Sequence, residues 1–194
     1  MAKSAEKFFF DRSIPFDFPV GKSEVFVPKD EFGLAELASG FNKGTTISPL
    51  HAALLSSAVV NNGVMMKPWI VKRVVNEAGE VLYERRESRM GVSVSPETAK
   101  ELRILMKDTV IHGTCRKAFY RERRRKVYKN VELGAKTGTI NDREDRFKYD
   151  WLTAYVVPPN GKKGICIAVL GIHGKILGVR ANRLGRSIIR YYLS

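Results

Sequence analysis

The chain has 194 residues, of which 44% are hydrophobic and 28% charged, so it can bury a core and is not globally disordered. The sequence contains no run of about 18 apolar residues, which is the length needed to cross a bilayer. Its N-terminus is too polar for a signal peptide. Two cysteines, Cys115 and Cys166, exclude a disulfide scaffold and a structural zinc site, and we expect two buried thiols.

The net charge is +14, from 34 Lys and Arg against 20 Asp and Glu. Such an excess suggests an anionic neighbour, which could be nucleic acid, lipid headgroups or an anionic wall polymer. Residues 115–130 contain eight basic residues and one acid, with the densest run at 121–126. The simpler interpretation is a solvated insertion loop, and the alternative is a specific anion-binding segment.

The chain begins with an aromatic run, Phe8-Phe9-Phe10, that is typical of a core segment. Residues 11–29 then favour an extended, loop-rich entry, because three prolines block any long helix. Asp30 is a good N-cap for a short helix over 31–39, and Gly40 is suited to end it.

The next helix has clear start and stop signals. Ser48 is a good N-cap, Pro49 suits the first turn, and Asn61-Asn62-Gly63 supplies a left-handed stop. Its residues are small and apolar all round, which predicts a buried helix. One face is expected to hold Leu50, Ala53, Leu54, Ser57 and Ala58.

A hairpin and a third helix follow. Residues 69–75 and 80–84 are rich in β-forming residues and flank a turn at 76–79. A helix then begins after Ser95-Pro96 and stops at His112-Gly113. Its apolar stripe is predicted to comprise Ala99, Leu102, Leu105, Met106 and Val110.

Three strands are predicted after the basic segment, over 131–139, 151–157 and 164–172, with a turn at 158–161 between the last two. A final helix covers about 179–192. We expect its inward face to hold Val179, Leu184, Ile188 and Tyr192. Adjacent strands followed by a closing helix indicate an α+β class in which an antiparallel sheet packs with helices.

The segment with the clearest chemistry is Lys136-Thr137-Gly138-Thr139 at the end of a predicted strand. Lys136 offers a fixed cation, and the two threonine hydroxyls can hold a carboxylate. Gly138 leaves the strand edge uncovered, so a substrate backbone can lie against it. The N–H of the next residue can then face a developing oxyanion.

Other residues that could carry chemistry are better explained structurally. The three histidines show no metal spacing, so no metal and no cofactor is expected. His51 is expected to be a hydrogen-bonded core residue, His112 a helix C-terminal residue that suits the dipole, and His173 a loop residue. Trp151 could line a cleft, although packing against the sheet is the simpler interpretation.

In its ordered motifs the chain resembles the C-terminal part of a penicillin-binding protein transpeptidase domain, over roughly residues 5–193. The superfamily signatures are Ser-x-x-Lys, a Ser-Asp-Asn-like motif and Lys-Thr-Gly. The whole series is much more specific than any one piece. The segments that carry the resemblance are 44–53, 61–65, 113–114, 136–142 and 150–155.

The sequence departs from the family pattern in two places. Asn42-Lys43-Gly44 stands where the family usually has Gly-x-Gly, and Asn tolerates left-handed angles, so the loop shape can survive. Ser4-Ala-Glu-Lys7 matches Ser-x-x-Lys, but about one such match is expected by chance, and its neighbourhood instead resembles a helix after the middle motif. We therefore expect that the nucleophile motif is missing.

The resemblance implies a serine β-lactamase-like fold and a D,D-transpeptidase that cross-links peptidoglycan through an acyl-serine intermediate. Lys136 and Thr139 would be catalytic, and Thr137, Gly138 and Thr139 would bind substrate. The implied partners are D-Ala-D-Ala stem peptides, β-lactams and the missing N-terminal part of the same domain. The implied location is the extracytoplasmic face of the inner membrane, with an anchor upstream.

The resemblance also makes residues 1–194 the C-terminal part of one domain, inactive on its own. Asn141-Asp142 favours a bifunctional class A parent, which also carries a glycosyltransferase. The expected divisions are a loop-rich and helical segment, a hairpin, a helix, a basic insertion, and the motif sheet with its C-terminal helix. They cover 1–66, 67–90, 91–113, 114–130 and 131–194.

The alternative function is a basic nucleic-acid or anionic-polymer binding module. It depends on the +14 charge and the arginine run. Because the sequence contains no recognised nucleic-acid-reading motif, such a surface would give salt-dependent, non-specific attraction. We therefore expect no specific nucleic-acid partner.

Overall fold

A computed structural model describes residues 2–159 and 163–194. Three helices are followed by four short strands, two more helices, a three-stranded sheet and a final helix. The helices are α1 (Ala2–Lys7), α2 (Glu31–Ser39), α3 (Pro49–Val60), α4 (Pro96–Ile111), α5 (Arg116–Arg123) and α6 (Ala181–Leu193). The strands are β1 (Val64–Met66), β2 (Arg73–Val75), β3 (Val81–Glu84), β4 (Arg89–Val92), β5 (Glu132–Asn141), β6 (Lys148–Val157) and β7 (Ile165–His173).

The main sheet is antiparallel with the order β5-β6-β7, and two smaller sheets pair β1 with β4 and β2 with β3. One face of the main sheet packs on α3 and α4, and the other packs on α5 and α6. This arrangement confirms the predicted α+β class. It also leaves β5 at an edge of the sheet.

The helix boundaries follow the predicted caps. The Asp30 side chain accepts a hydrogen bond from the Gly33 N–H, and Gly40 ends α2 with φ of 81°. Ser48 and Ser95 cap α3 and α4 in the same way, through the N–H groups of His51 and Thr98. Each cap satisfies a backbone donor that the first helical turn leaves unpaired.

Helix α3 is buried, as predicted, although burial is not confined to the expected face. Its buried residues are His51, Ala52, Leu54, Ser56, Ala58 and Val59. His51 is fully buried and its Nε2–H donates to the Phe8 carbonyl over 2.6 Å, which confirms a hydrogen-bonded core histidine. Burial lowers the pKa of His51, and this bond opposes the shift. The aromatic run 8–10 is half-buried.

The predicted hairpin is confirmed, but its first strand begins at Arg73 rather than at residue 69. Ser95 begins α4 as expected, and Ala99, Met106 and Val110 of the predicted stripe are buried. Leu105 was predicted inside and is 63% exposed. The stripe on α4 is therefore narrower than the spacing suggested.

Residues 114–130 were predicted to be a solvated loop, and this was wrong. They form α5 and a short 3₁₀ turn at Lys126–Tyr128. Phe119 and Tyr128 are buried in the core cluster that also contains Ile189 of α6. The many charged residues of this segment hide its amphipathic pattern in the sequence. Two buried aromatic side chains are enough to anchor it to the core.

Helix α6 faces the sheet with a different stripe from the one predicted. Ala181, Gly185 and Ile189 are buried, while the expected inward residues Val179, Leu184, Ile188 and Tyr192 are 40–57% exposed. A Cβ atom on Gly185 would lie 2.1 Å from Leu152 Cδ2. The small residues therefore allow close approach to β6, which sets the rotation of the helix.

Both cysteines are free, with Cys115 buried and Cys166 half-buried, so the expectation of two buried thiols holds fully for the first alone. Burial raises the pKa of each thiol to about 11.

His173 ends β7 and is 7% exposed, so it is not a loop residue. Asn160 and Gly161 of the predicted turn lie outside the described residues. Within the described ranges, no helix is long and apolar enough to span a membrane.

Candidate functional site

The four residues of the Lys-Thr-Gly-Thr motif lie together on β5, the edge strand of the sheet. Lys136 is opposite Thr153 and Thr139 is opposite Asp150 in the register with β6. The structure leaves Lys136, Gly138 and Thr139 exposed and Thr137 half-buried. A Cβ atom on Gly138 would have only Trp151 Cβ near it, at 3.7 Å, so a ligand can approach the backbone closely here.

The side chains of the motif alternate between the two faces of the sheet. Lys136 shares a face with Thr153, which donates to the Ala52 carbonyl of α3 over 3.0 Å and also contacts the Ser56 hydroxyl. The Lys136 ammonium donates to the Thr137 carbonyl over 2.7 Å. Lys136 is therefore a cation held at the exposed strand edge.

Thr137 is held from the other face. Its hydroxyl lies 2.6 Å from the Thr114 hydroxyl, just after α4. The Gly113-Thr114 pair was singled out from sequence, and the structure brings it to the motif strand. A Cβ atom on Gly113 would be 2.8 Å from the Thr109 backbone, so this tight helix end requires glycine.

The start of β5 is fixed to α4 by a charged network. Arg103 donates two hydrogen bonds to the Glu132 carboxylate, at 2.9 and 2.6 Å, and the Tyr155 hydroxyl donates to the same carboxylate over 2.9 Å. The hydrogen bonds from Arg103 lower the pKa of Glu132, and burial raises the pKa of Tyr155. This network fixes β5 and β6 against the helix.

The beginning of β6 is fixed to the start of α6 by a second network, next to the motif. Asp150 is 2% exposed and accepts from Arg180 Nε and Nη2, at 2.8 and 2.9 Å, and from the Ala181 N–H at 2.8 Å. Sequence analysis singled out neither network. The available signal for Asp150 was a carboxylate directly before the predicted strand 151–157.

A cavity of about 720 Å³ adjoins the motif on the face of Gly138. It lies between the loop before α3 and the β5–β6 turn, and Trp151 lines it, which favours the cleft alternative for this residue. The Lys43 ammonium and the Asp145 carboxylate join the two walls over 2.7 Å. The cavity therefore extends the exposed strand edge into a concave site.

The loop at 42–44 keeps its shape through a side chain rather than through left-handed backbone. Asn42 Oδ1 accepts from the N–H groups of Gly44 and Thr45, at 3.1 and 2.9 Å, and Asn42 is not among the described residues with positive φ. An Asx turn thus replaces the conformational freedom of glycine.

Ser4 lies on α1 and is exposed. Among the described residues, no group of three His, Cys, Asp or Glu side chains could hold a metal ion. The chemical features that the structure places together are one cation, two hydroxyls and an open strand edge. Such a site can bind a carboxylate and an extended peptide backbone.

Sequence comparison finds a family model described as the penicillin binding protein transpeptidase domain, which matches residues 1–175. Stage V sporulation protein D of Bacillus subtilis is 26% identical over 145 residues, which are 74% of this chain and 21% of that protein. Penicillin-binding protein 3 of B. subtilis is 24% identical over 79% of this chain and 22% of its own length. The chain thus spans about a fifth of these curated relatives.

Structure comparison finds the same fold in solved proteins. The imipenem acyl-enzyme complex of penicillin-binding protein A from M. tuberculosis has a TM-score of 0.79 at 22% identity, over 98% of this chain and 41% of that one. The D,D-transpeptidase domain of a peptidoglycan glycosyltransferase from Eggerthella lenta has a TM-score of 0.78 at 22% identity, over 99% and 46%.

Proposed function

This chain belongs to the penicillin binding protein transpeptidase domain family, and on that premise we propose that it supplies the substrate-binding strand of a serine D,D-transpeptidase. The observation that carries the proposal is the exposed edge of β5, where Lys136, Gly138 and Thr139 are open to solvent. The substrates would be D-Ala-D-Ala stem peptides of peptidoglycan, and β-lactams would react at the same site.

Each motif residue has a proposed role. Thr137 and Thr139 hold the carboxylate of the peptide or of the β-lactam, and Gly138 allows its backbone to lie along the strand. Lys136 keeps the site positive. The N–H of Thr139 supplies one donor to the oxyanion of the tetrahedral intermediate, where preorganised donors act most strongly.

The attacking serine and its lysine partner would come from a part of the domain outside these residues. Supporting this, Ser4 is exposed on a short helix, and the chain covers 41–46% of the structures that it resembles. The hydroxyl attacks the D-Ala carbonyl, D-alanine leaves, and a second stem peptide takes the acyl group. The domain would work on the extracytoplasmic side of the membrane, tethered by an upstream anchor.

The alternative of a basic nucleic-acid or anionic-polymer binding module is not favoured. The family match covers residues 1–175, which include the arginine run, and the motif strand has no role in such a module. The basic segment therefore does not define the function by itself.

The test is the rate of acylation by a fluorescent penicillin in the protein that contains the complete domain. Lys136→Ala should slow acylation by about 10²–10³-fold, the cost of losing one preorganised electrostatic element. Ser4→Ala is the matched control and should leave the rate unchanged. An unchanged rate in Lys136→Ala would remove Lys136 from the site, and an adduct on Ser4 in intact-mass spectra would refute the missing-nucleophile proposal.

A further inference from the structure

Given the function proposed above, on which this inference rests, we infer that Thr114 is a positioning residue that directs the hydroxyl of Thr137 at the carboxylate of the substrate. The two hydroxyl oxygens lie 2.6 Å apart, although the residues are 23 positions apart in the sequence. Thr114 follows α4, whereas Thr137 lies on the motif strand β5. The contact therefore joins the end of a helix to the edge where the substrate would bind.

The backbone around Thr114 is held on both sides, although its side chain is exposed. A Cβ atom on Gly113 would lie 2.8 Å from the Thr109 Cα atom, so only glycine allows this close turn. On the other side, Cys115 is fully buried and its N–H donates to the Thr109 carbonyl over 3.1 Å. The Thr114 hydroxyl is thus presented from a rigid position.

The backbone of Thr137 is also fixed. Thr137 lies opposite Leu152 in the register of β5 with β6, and its carbonyl accepts from the Lys136 ammonium over 2.7 Å. These contacts leave open how the Thr137 side chain rotates and where its hydroxyl hydrogen points. Thr114 is the side-chain partner that settles both.

The direction of the hydrogen bond follows from the chemistry of the two groups. A hydroxyl has a single hydrogen to donate, whereas an ionised carboxylate can only accept. When Thr137 donates to the carboxylate, its contact with Thr114 persists only if Thr114 donates to Thr137. The result is a chain from Thr114 to Thr137 to the carboxylate, in which each bond strengthens the next.

The charges around this chain also favour a carboxylate. Burial raises the pKa of the Cys115 thiol to about 11, while a hydrogen bond from Thr114 and the charge of Lys136 oppose the rise. The positive charge of Lys136 is therefore felt beside Thr114. Because the thiol stays protonated at pH 7, no thiolate competes for the Thr114 hydrogen. Asp150, which adds to the rise, is itself paired with Arg180.

A purely structural role for the contact between the two threonines is not needed. The start of β5 is already joined to α4 by two hydrogen bonds from Arg103 to Glu132. A bond between two hydroxyls at an exposed site adds little to stability, because water can replace it. Its effect is instead on the orientation of Thr137.

The test is the second-order rate constant for acylation of the protein that contains the complete domain, measured with benzylpenicillin and with its methyl ester. Thr114→Val keeps the shape of the side chain and removes the hydroxyl. It should slow acylation by benzylpenicillin about three- to tenfold, the factor that corresponds to one hydrogen bond. The rate with the methyl ester, which has no carboxylate, should not change. Thr114→Ser keeps the donor and should restore the rate.

Two further variants separate orientation from folding. In a Thr137→Val background, Thr114→Val should have no additional effect, since it acts through the Thr137 hydroxyl. Thr109→Val is the matched control, because it removes a hydroxyl that donates to the Leu105 carbonyl within α4. It should leave both acylation rates unchanged. Thermal melts should show the same midpoint for Thr114→Val and the wild type.

Three results would overturn this assignment of Thr114. Equal slowing of both substrates by Thr114→Val would mean that the residue only supports the strand. An unchanged rate with benzylpenicillin in Thr114→Val, together with a slow Thr137→Val, would refute the role of Thr114 and leave the proposed function intact. If Thr137→Val is acylated as fast as the wild type, the carboxylate-binding role of the motif strand fails, and the role of Thr114 fails with it.

Discussion

The Asp150 carboxylate offers a sharp test of how the sheet is fixed to α6. It is buried opposite Thr139 and accepts three hydrogen bonds, two from Arg180 and one from the Ala181 N–H. Burial alone would raise the pKa of Asp150, but these bonds outweigh it and hold the pKa below the usual value for an aspartate. The charged form is therefore the one that stabilises the fold.

We expect Asp150→Asn to lower the free energy of unfolding by about 2–3 kcal/mol at pH 7. Hydrogen bonds to a charged group contribute about 1.5–3 kcal/mol, and breaking a fully buried ion pair costs about 3–5 kcal/mol. The lower range applies because the Arg180 side chain is 42% exposed, so water can solvate it when its partner is lost.

The stabilisation by the Asp150 carboxylate must decrease as the pH falls. The pKa of Asp150 is lower in the folded chain than the value of about 3.9 in an unfolded chain. The stabilisation is thus fully present above the unfolded value and is lost as the pH falls through the folded one. Urea denaturation followed by circular dichroism should show a gap between wild type and Asp150→Asn that is constant above about pH 5 and narrows below pH 4.

The matched control is Asp145→Asn, which removes a carboxylate from an exposed ion pair with Lys43. Because the Asp145 side chain is 62% exposed, water solvates both partners, and this change should lower the free energy of unfolding much less than Asp150→Asn does. If Asp150→Asn costs no more than Asp145→Asn, or if its cost does not change between pH 7 and pH 3, the assigned role of Asp150 is wrong.

Two further predictions concern α6. Gly185→Val should lower the free energy of unfolding by about 1–3 kcal/mol in thermal melts, because its Cβ would lie 2.1 Å from Leu152 Cδ2, whereas Gly21→Val has open space and should change it little. The purified chain should self-associate at micromolar concentration in light scattering, or retain a companion peptide, because Leu184 and Ile188 expose an apolar flank. A stable monomer without such a peptide would contradict the second prediction.

Local signals in the sequence predicted much of the fold. Asp30, Ser48 and Ser95 each cap the helix expected of them, since a cap depends on a few adjacent residues. The three long strands were also predicted close to their observed bounds. The motif at 136–139 could be placed on the second half of a strand because the β-forming residues that begin at 131 continue without a break into the motif.

Features that depend on packing between distant residues were not predicted. The predicted orientation of α6 was wrong because an analysis of hydrophobic periodicity gives most weight to large apolar side chains. The contact with the sheet is instead made by the small residues Ala181 and Gly185. The ion pair between Arg103 and Glu132 joins residues that are 29 positions apart in the sequence, so no local pattern indicates it. Cap signals and spacing carry no information about which charged residues meet across the core.

The edge of β5 and the exposed flank of α6 are expected to have different roles. The first binds substrate, and the second takes part in association with another segment. The motif residues lie on β5, whereas α6 packs on β6 and β7 and exposes Leu184, Ile188 and Tyr191 on the flank away from α5. Burial of that flank by another copy or by an upstream segment would contribute about 25 cal/mol for each Å² of apolar surface without covering Lys136. Association of the chain and access to its motif strand should therefore respond to different substitutions. Ile188→Glu should weaken association and leave the β5 edge open, which is the behaviour expected if the covering segment completes the fold and the strand edge binds the substrate.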